Sequence, residues 1–119
     1  MKRALAGFAL MIAGTAALGE QASLGTGAIL RGLDKVNGKT TDLDMGNGTS
    51  LAFGRLVVSL GECRYPEGNP SGDAYAFVTI RETGKSEMVF SGWMIGSSPA
   101  LSALDHPRYD VWVTRCKTQ

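Results

Sequence analysis

From residue 28 onward the apolar residues do not recur every three and four positions, as on an amphipathic helix. They alternate with polar ones in short runs separated by glycine, asparagine and proline, which is the pattern of β-strands. The run 28–36 sets Leu33 between charged neighbours, and Asn37-Gly38 supplies a type I′ hairpin turn. The return strand 39–45 carries Thr41, Leu43 and Met45 on one side, and Gly46-Asn47-Gly48 makes a second turn. Residues 49–53 and 55–63 follow, the latter with Leu56, Val58 and Leu60 at period two. Continued regularly, that period aims Cys63 at the opposite face, so Gly61 is a candidate β-bulge that returns the cysteine inward.

Prolines, glycines and Asn69 make 65–72 a loop. A strand over 73–82 alternates Tyr75, Phe77 and Thr79 with Ala76, Val78 and Ile80, so it reads as a central strand covered on both faces. Thr83-Gly84-Lys85 turns the chain, and the strand 87–95 opposes Met88, Phe90 and Met94 to Val89, Trp93 and Ile95. One short helix is predicted near 98–104, with Ser98 as cap, Pro99 at its first position and Leu101 and Leu104 three apart. His106-Pro107 ends it, and 109–116 closes the fold as a strand in which Trp112 shares the parity of Cys116 and is expected beside it. The expected fold class is all-β: a small antiparallel sandwich or barrel of six to eight short strands with one short helix.

Residues 1–19 stand outside that pattern. Lys2 and Arg3 precede the uncharged run Ala4–Leu18, which as a helix covers about 22 Å against the roughly 30 Å of a bilayer core. A basic start, a short apolar middle and small residues at Ala17 and Gly19 read as a secretory signal peptide. The expected organisation is therefore a signal peptide over 1–19, a flexible mature N-terminus over 20–28 and one β domain over 29–119. An exported chain changes the reading of Cys63 and Cys116: in an oxidising compartment such a pair forms a disulfide, closing a loop of about 54 residues worth about 4 kcal/mol. A zinc site would need two further ligands where the chain has one histidine, and a reactive thiol is the remaining alternative.

Hydrophobic content of 44% with 19% charge excludes a disordered solvating chain. A net charge of +1, falling to about −1 without the leader, gives no reason to expect nucleic acid as a partner. Phosphate-loop, dinucleotide and C-x-x-C motifs are missing.

The stretch 90–112 holds the single histidine and both tryptophans. Read as a small hydrolase, it has Asp105 or Asp110 orienting His106, which activates Ser97, Ser98 or Ser102. No G-x-S-x-G elbow supports that reading, and the plainer one is a connection in which His106 packs or bonds a carbonyl. Tyr75, Phe77, Trp93, Tyr109 and Trp112 could form an aromatic platform for a sugar or peptide. Trp93 is the best placed for exposure because Gly92 beside it carries no covering side chain. The candidate binding surface is Trp93, Tyr75, Tyr109, His106 and Asp110. Two acidic groups, Glu62, Glu67, Asn69 and Asp73, and Asp42, Asp44 and Asn47, lack calcium-loop spacing and read as solvated turns. No catalytic residue, metal or cofactor is assigned.

The run 30–36 followed by Gly38, the Phe90-Ser91-Gly92-Trp93-Met94 segment, and 98–104 with His106-Pro107-x-Tyr109-Asp110-Val111-Trp112 leading to Cys116 together resemble the bacterial domain-of-unknown-function family 2155. The resemblance covers roughly residues 29–116 and implies a small periplasmic protein of Gram-negative bacteria with Cys63 paired to Cys116 and no established activity. The expected role is a non-catalytic interaction or envelope-accessory protein with a protein partner in the cell envelope, and no stable membrane span after cleavage. A glycan- or peptide-binding module is the alternative.

Overall fold

The computed structural model describes residues 21–100 and 103–119, so the expected signal peptide lies outside the described residues. Among the described residues nine strands follow in order: β1 Ala22–Leu24, β2 Gly27–Asp34, β3 Lys39–Gly46, β4 Thr49–Phe53, β5 Leu56–Pro66, β6 Tyr75–Glu82, β7 Met88–Ile95, β8 Leu104–Asp105 and β9 Tyr109–Lys117. They form two antiparallel sheets. The first runs β1-β5-β6-β7, with β4 paired to the first half of β5; the second runs β3-β2-β9-β8. The result is a sandwich rather than a barrel.

Alternation decides which side chains enter the space between the sheets. The first sheet contributes Leu56, Val58, Leu60, Val78, Ile80 and Met94, and the second Leu30, Leu43, Met45, Val111 and Val113. Each such side chain contributes about 2 kcal/mol of burial. Among the described residues no polar or charged residue is buried, so all candidate chemistry sits at the margins of this core.

Two bulges break the alternation. In β5 the register slips at Gly61, between the pairs Leu60–Val78 and Glu62–Phe77. In β9 it slips at Thr114, between Leu30–Val113 and Ile29–Arg115, and the Thr114 hydroxyl donates to the Ile29 carbonyl at 2.8 Å. Each bulge puts a cysteine three residues after the last inward side chain, where a regular strand would turn it out. Cys63 and Cys116 therefore face each other across the sheets, both buried, with Cα atoms 5.6 Å apart and the disulfide formed.

Several expectations need correction. Residues Ser98–Ala100 and Ala103 form no helix, and Leu104 is already in β8; Leu101 and Ser102 lie outside the described residues. The Ser98 N–H bonds the Ile95 carbonyl as a turn leaving β7, and Leu104 is buried by pairing with Val111 in a strand, not by a helical stripe. The β2–β3 hairpin has four loop residues, 35–38, in place of a type I′ pair. Asp34 accepts from the Val36 N–H and Asn37 from the Lys39 N–H, which stabilises the longer loop, and only Gly38 is left-handed, at φ 74°.

The flexible segment expected over 20–28 is ordered from Gln21 onward: β1 pairs with the end of β5, and Gly25 N–H bonds the Cys63 carbonyl at 2.7 Å. Trp112 does not share a face with Cys116, because the Thr114 bulge reverses parity between them. β6 is central, but only its Ala76-Val78-Ile80 face is covered; Tyr75, Phe77 and Thr79 are half-buried on the outside.

Replacing both Cys63 and Cys116 by alanine should lower the unfolding free energy by about 4 kcal/mol, as closure of the 53-residue separation implies, read by urea titration. A loss under about 1 kcal/mol would mean that the sheets are held together without it.

Candidate functional site

The outer face of the first sheet carries an open, largely apolar surface. Tyr75 pairs with Ile95 and Phe77 with Trp93 in adjacent strands, so all four project from the same side. The Phe77 and Trp93 rings meet edge to face, with centroids 5.3 Å apart at 67°. The Gly61 bulge gives the Phe77 ring room, since a Cβ there would lie 3.3 Å from it. Trp93 remains 45% exposed. Arg64 and Pro66 from the end of β5, with Gln21 and Ala22, complete a shallow groove of about 360 Å³. The Arg64 guanidinium is held by the Glu62 carboxylate at 2.6 Å, at the polar margin of this apolar floor.

A polar seam closes the sandwich at the far end of β6 from the disulfide. His106, between β8 and β9, places Nε2 2.9 Å from Glu82 Oε2 at the end of β6, and its Nδ1 accepts the Arg108 N–H at 3.0 Å. That second bond assigns the ring proton to Nε2, which donates to Glu82. The hydrogen bond from His106, followed by that from Lys85, holds the Glu82 carboxyl below its ordinary range. Arg108 forks onto both Asp34 oxygens at 3.3 and 3.1 Å; this bond, then the Val36 N–H, lowers Asp34, and Asp34 in turn raises Arg108. Lys35 reaches Asp110 at 3.2 Å and Asp105 at 3.7 Å.

A third cluster ties β7 back to the loop before β6. Asp73 accepts the Ser97 hydroxyl at 2.6 Å and the Ser97 and Ala74 N–H groups at 2.8 Å each. Burial pushes the Asp73 carboxyl up, but these donors outweigh it and the net shift is downward.

The five expected surface residues thus divide among three places. Trp93 and Tyr75 share the groove. Tyr109 is buried against Phe53, its hydroxyl accepting the Arg55 N–H, while His106 and Asp110 belong to the seam on the other sheet. His106 bonds neither Asp105 nor Asp110, and both its ring nitrogens are taken, which leaves none for a serine; Ser97 is bound to Asp73, and Ser102 lies outside the described residues. The two acidic groups are likewise dispersed onto partners: Asp42 to Arg31, Asp44 to Lys117, Glu62 to Arg64. Among the described residues no three metal-ligating side chains converge.

Sequence reasoning missed Glu82, Asp34 and Arg64. Glu82 lies 24 positions from His106, and only the pairing of the sheets brings them together. Arg64 lies three residues past the Gly61 bulge, which sets the face it takes.

Because the folded Glu82 carboxyl is depressed, its bond to His106 stabilises the protein above the ordinary carboxylate range and that stabilisation is lost as pH falls below about 4. Glu82→Gln should flatten the acid limb of a stability-against-pH curve measured by thermal melting between about pH 3 and 6. An unchanged limb would assign acid sensitivity elsewhere.

The family model described as an uncharacterized protein conserved in bacteria (DUF2155) matches residues 28–116. An uncharacterized protein of Rickettsia prowazekii (strain Madrid E) is 29% identical over 87 residues, which cover 71% of this chain and 56% of that protein. The chain spans little more than half the length of this curated relative. No solved structure matches it.

Proposed function

We propose that this chain, which belongs to the DUF2155 family of uncharacterized bacterial proteins, is an exported, non-catalytic interaction domain of the Gram-negative periplasm that engages an envelope protein through the Trp93 groove. The observation that carries this reading is the half-exposed Trp93 on an apolar floor, while Arg64 at its margin is held by Glu62 and Ser97 beyond the end of β7 by Asp73. A large ring that is neither buried nor paired with charge has the character of an interface anchor.

Export is supported by the leader pattern of residues 1–19 and by the buried disulfide, which needs an oxidising compartment to persist. The shut seam favours binding over hydrolysis, since His106 has no nitrogen left to take a proton from a serine.

A second reading rests on the same groove. A floor of Tyr75 and Trp93 beside Arg64 also suits stacking against a sugar ring or an extended peptide. The two readings separate on the probe.

Trp93→Ala, which removes an exposed ring, should leave the fold intact and weaken recovery of periplasmic partners in a crosslinking pull-down by about tenfold or more. Undiminished recovery would remove the groove from the interaction. Titration with peptidoglycan fragments that quenches Trp93 fluorescence would move the assignment to the glycan reading.

A further inference from the structure

The chain crosses from one sheet to the other beside the cystine. β1 is paired with β5 and β2 with β9, and only Gly25 and Thr26 separate the two strands. Gly25 still follows β5, its N–H donating to the Cys63 carbonyl at 2.7 Å. Thr26 already follows β9, its N–H donating to the Lys117 carbonyl at 2.8 Å. The crossing is tight against the second cysteine: a Cβ on Gly25 would lie 2.6 Å from the Lys117 carbonyl oxygen and 3.3 Å from the Cys116 Cβ. Residues 21–26 thus form a strap laid against the disulfide from one sheet to the other.

One residue fastens this strap. Asn47, in the turn between β3 and β4, donates its Nδ2 to the Gly25 carbonyl at 2.9 Å and its backbone N–H to the Thr26 carbonyl at 3.1 Å. Its Oδ1 is buried and, among the described residues, accepts no hydrogen bond. An unpaired acceptor costs free energy, but turning the amide over would set that oxygen against the Gly25 carbonyl, so the grip on the strap decides the pose. Elsewhere the strap is lightly held. β1 has three residues at the border of the first sheet, Leu24 is 56% exposed, and the segment lies outside the loop that the disulfide closes. Such an element opens at a lower free energy than the whole fold.

From these observations we propose that the strap, latched by Asn47, gates thiol access to the Cys63–Cys116 bond: a dithiol reductant reaches the bond when residues 21–26 lift, without unfolding of the sandwich. Cys63 is the more deeply buried and Cys116 lies against Gly25, so Cys116 is the sulfur attacked. A thiolate of the dithiol bonds to the Cys116 sulfur as the Cys63–Cys116 bond breaks, and Cys63 leaves as a thiolate that takes up a proton. The second thiol of the reagent, giving up its proton, then closes on the first; the reagent is oxidised to its disulfide and Cys116 is released reduced. Gln21 and Ala22 also wall the Trp93 groove, so lifting the strap removes one side of the groove as it bares the cystine. The gate does not rest on what the groove binds.

Reduction of the chain as processed by its host, by excess dithiothreitol at about pH 8 and read by labelling of the freed thiols, tests the gate in urea below the unfolding transition. The rate should rise with urea at less than about a third of the equilibrium slope, because lifting six residues exposes little surface. Asn47→Asp keeps the shape of the side chain but sets an acceptor against the Gly25 carbonyl. It should leave cooperative unfolding intact, speed reduction about tenfold, and speed amide exchange at Gly25 and Thr26 about as much while β6 is unchanged. In the unaltered protein, which does not depend on the variant folding, Gly25 and Thr26 should exchange faster than β6. A reduction rate that follows the full equilibrium slope overturns the proposal, as does exchange at Gly25 and Thr26 no faster than in β6. So does reduction indifferent to Asn47→Asp, which would route the thiol through the separate opening of about 420 Å³ that Pro70, Gly72 and Arg115 form beside Cys116.

Discussion

The bond between Cys63 and Cys116 sets terms that the rest of the fold must meet. Each cysteine sits on a strand whose alternation would turn it toward solvent, and each is returned to the core by one extra residue, Gly61 in β5 and Thr114 in β9. A bulge leaves a residue unpaired and disturbs the ladder, so two at matching offsets have a common cause. The same displacement at Gly61 makes room for the Phe77 ring, and Phe77 in turn supports Trp93. Inner staple and outer groove are two faces of one irregularity.

How much of this was legible follows from which signals are local. The Gly61 bulge could be inferred because a glycine interrupts a clear period-two run shortly before a cysteine. Thr114 carries no such mark; threonine is an ordinary strand residue, and its role depends on the Ile29 carbonyl across the sheet. The shared parity of Trp112 and Cys116 in the sequence fails for that reason. The leucine spacing at 101 and 104 resembled a helix, but the pairing of Leu104 with Val111 decided the outcome. Tertiary pairing overrides a weak local preference.

The candidate site divides along the same line. Exposure of Trp93 was readable from its glycine neighbour. The burial of Tyr109 was not, because Phe53 and Gly54 come from another part of the chain; a Cβ at Gly54 would lie 2.5 Å from the Tyr109 hydroxyl, so the ring occupies space that only glycine leaves. His106 is the single histidine of the chain, yet its partner is a carboxylate at the end of a strand in the other sheet. A lone titratable residue in a patterned stretch is as easily a clasp between layers as a catalyst.

The cystine also divides the molecule covalently. Everything from Cys63 to Cys116, including β6, β7 and β8, lies within a closed macrocycle, while β1 through β4 are threaded outside it. Of those outside, the edge strands β1, β3 and β4 can peel away individually, whereas the enclosed ones must open collectively against a shortened unfolded chain. Slow amide exchange should therefore concentrate in β6 and β9, which are enclosed up to Cys116 and flanked on either side, and the aromatic groove rests on the first of them.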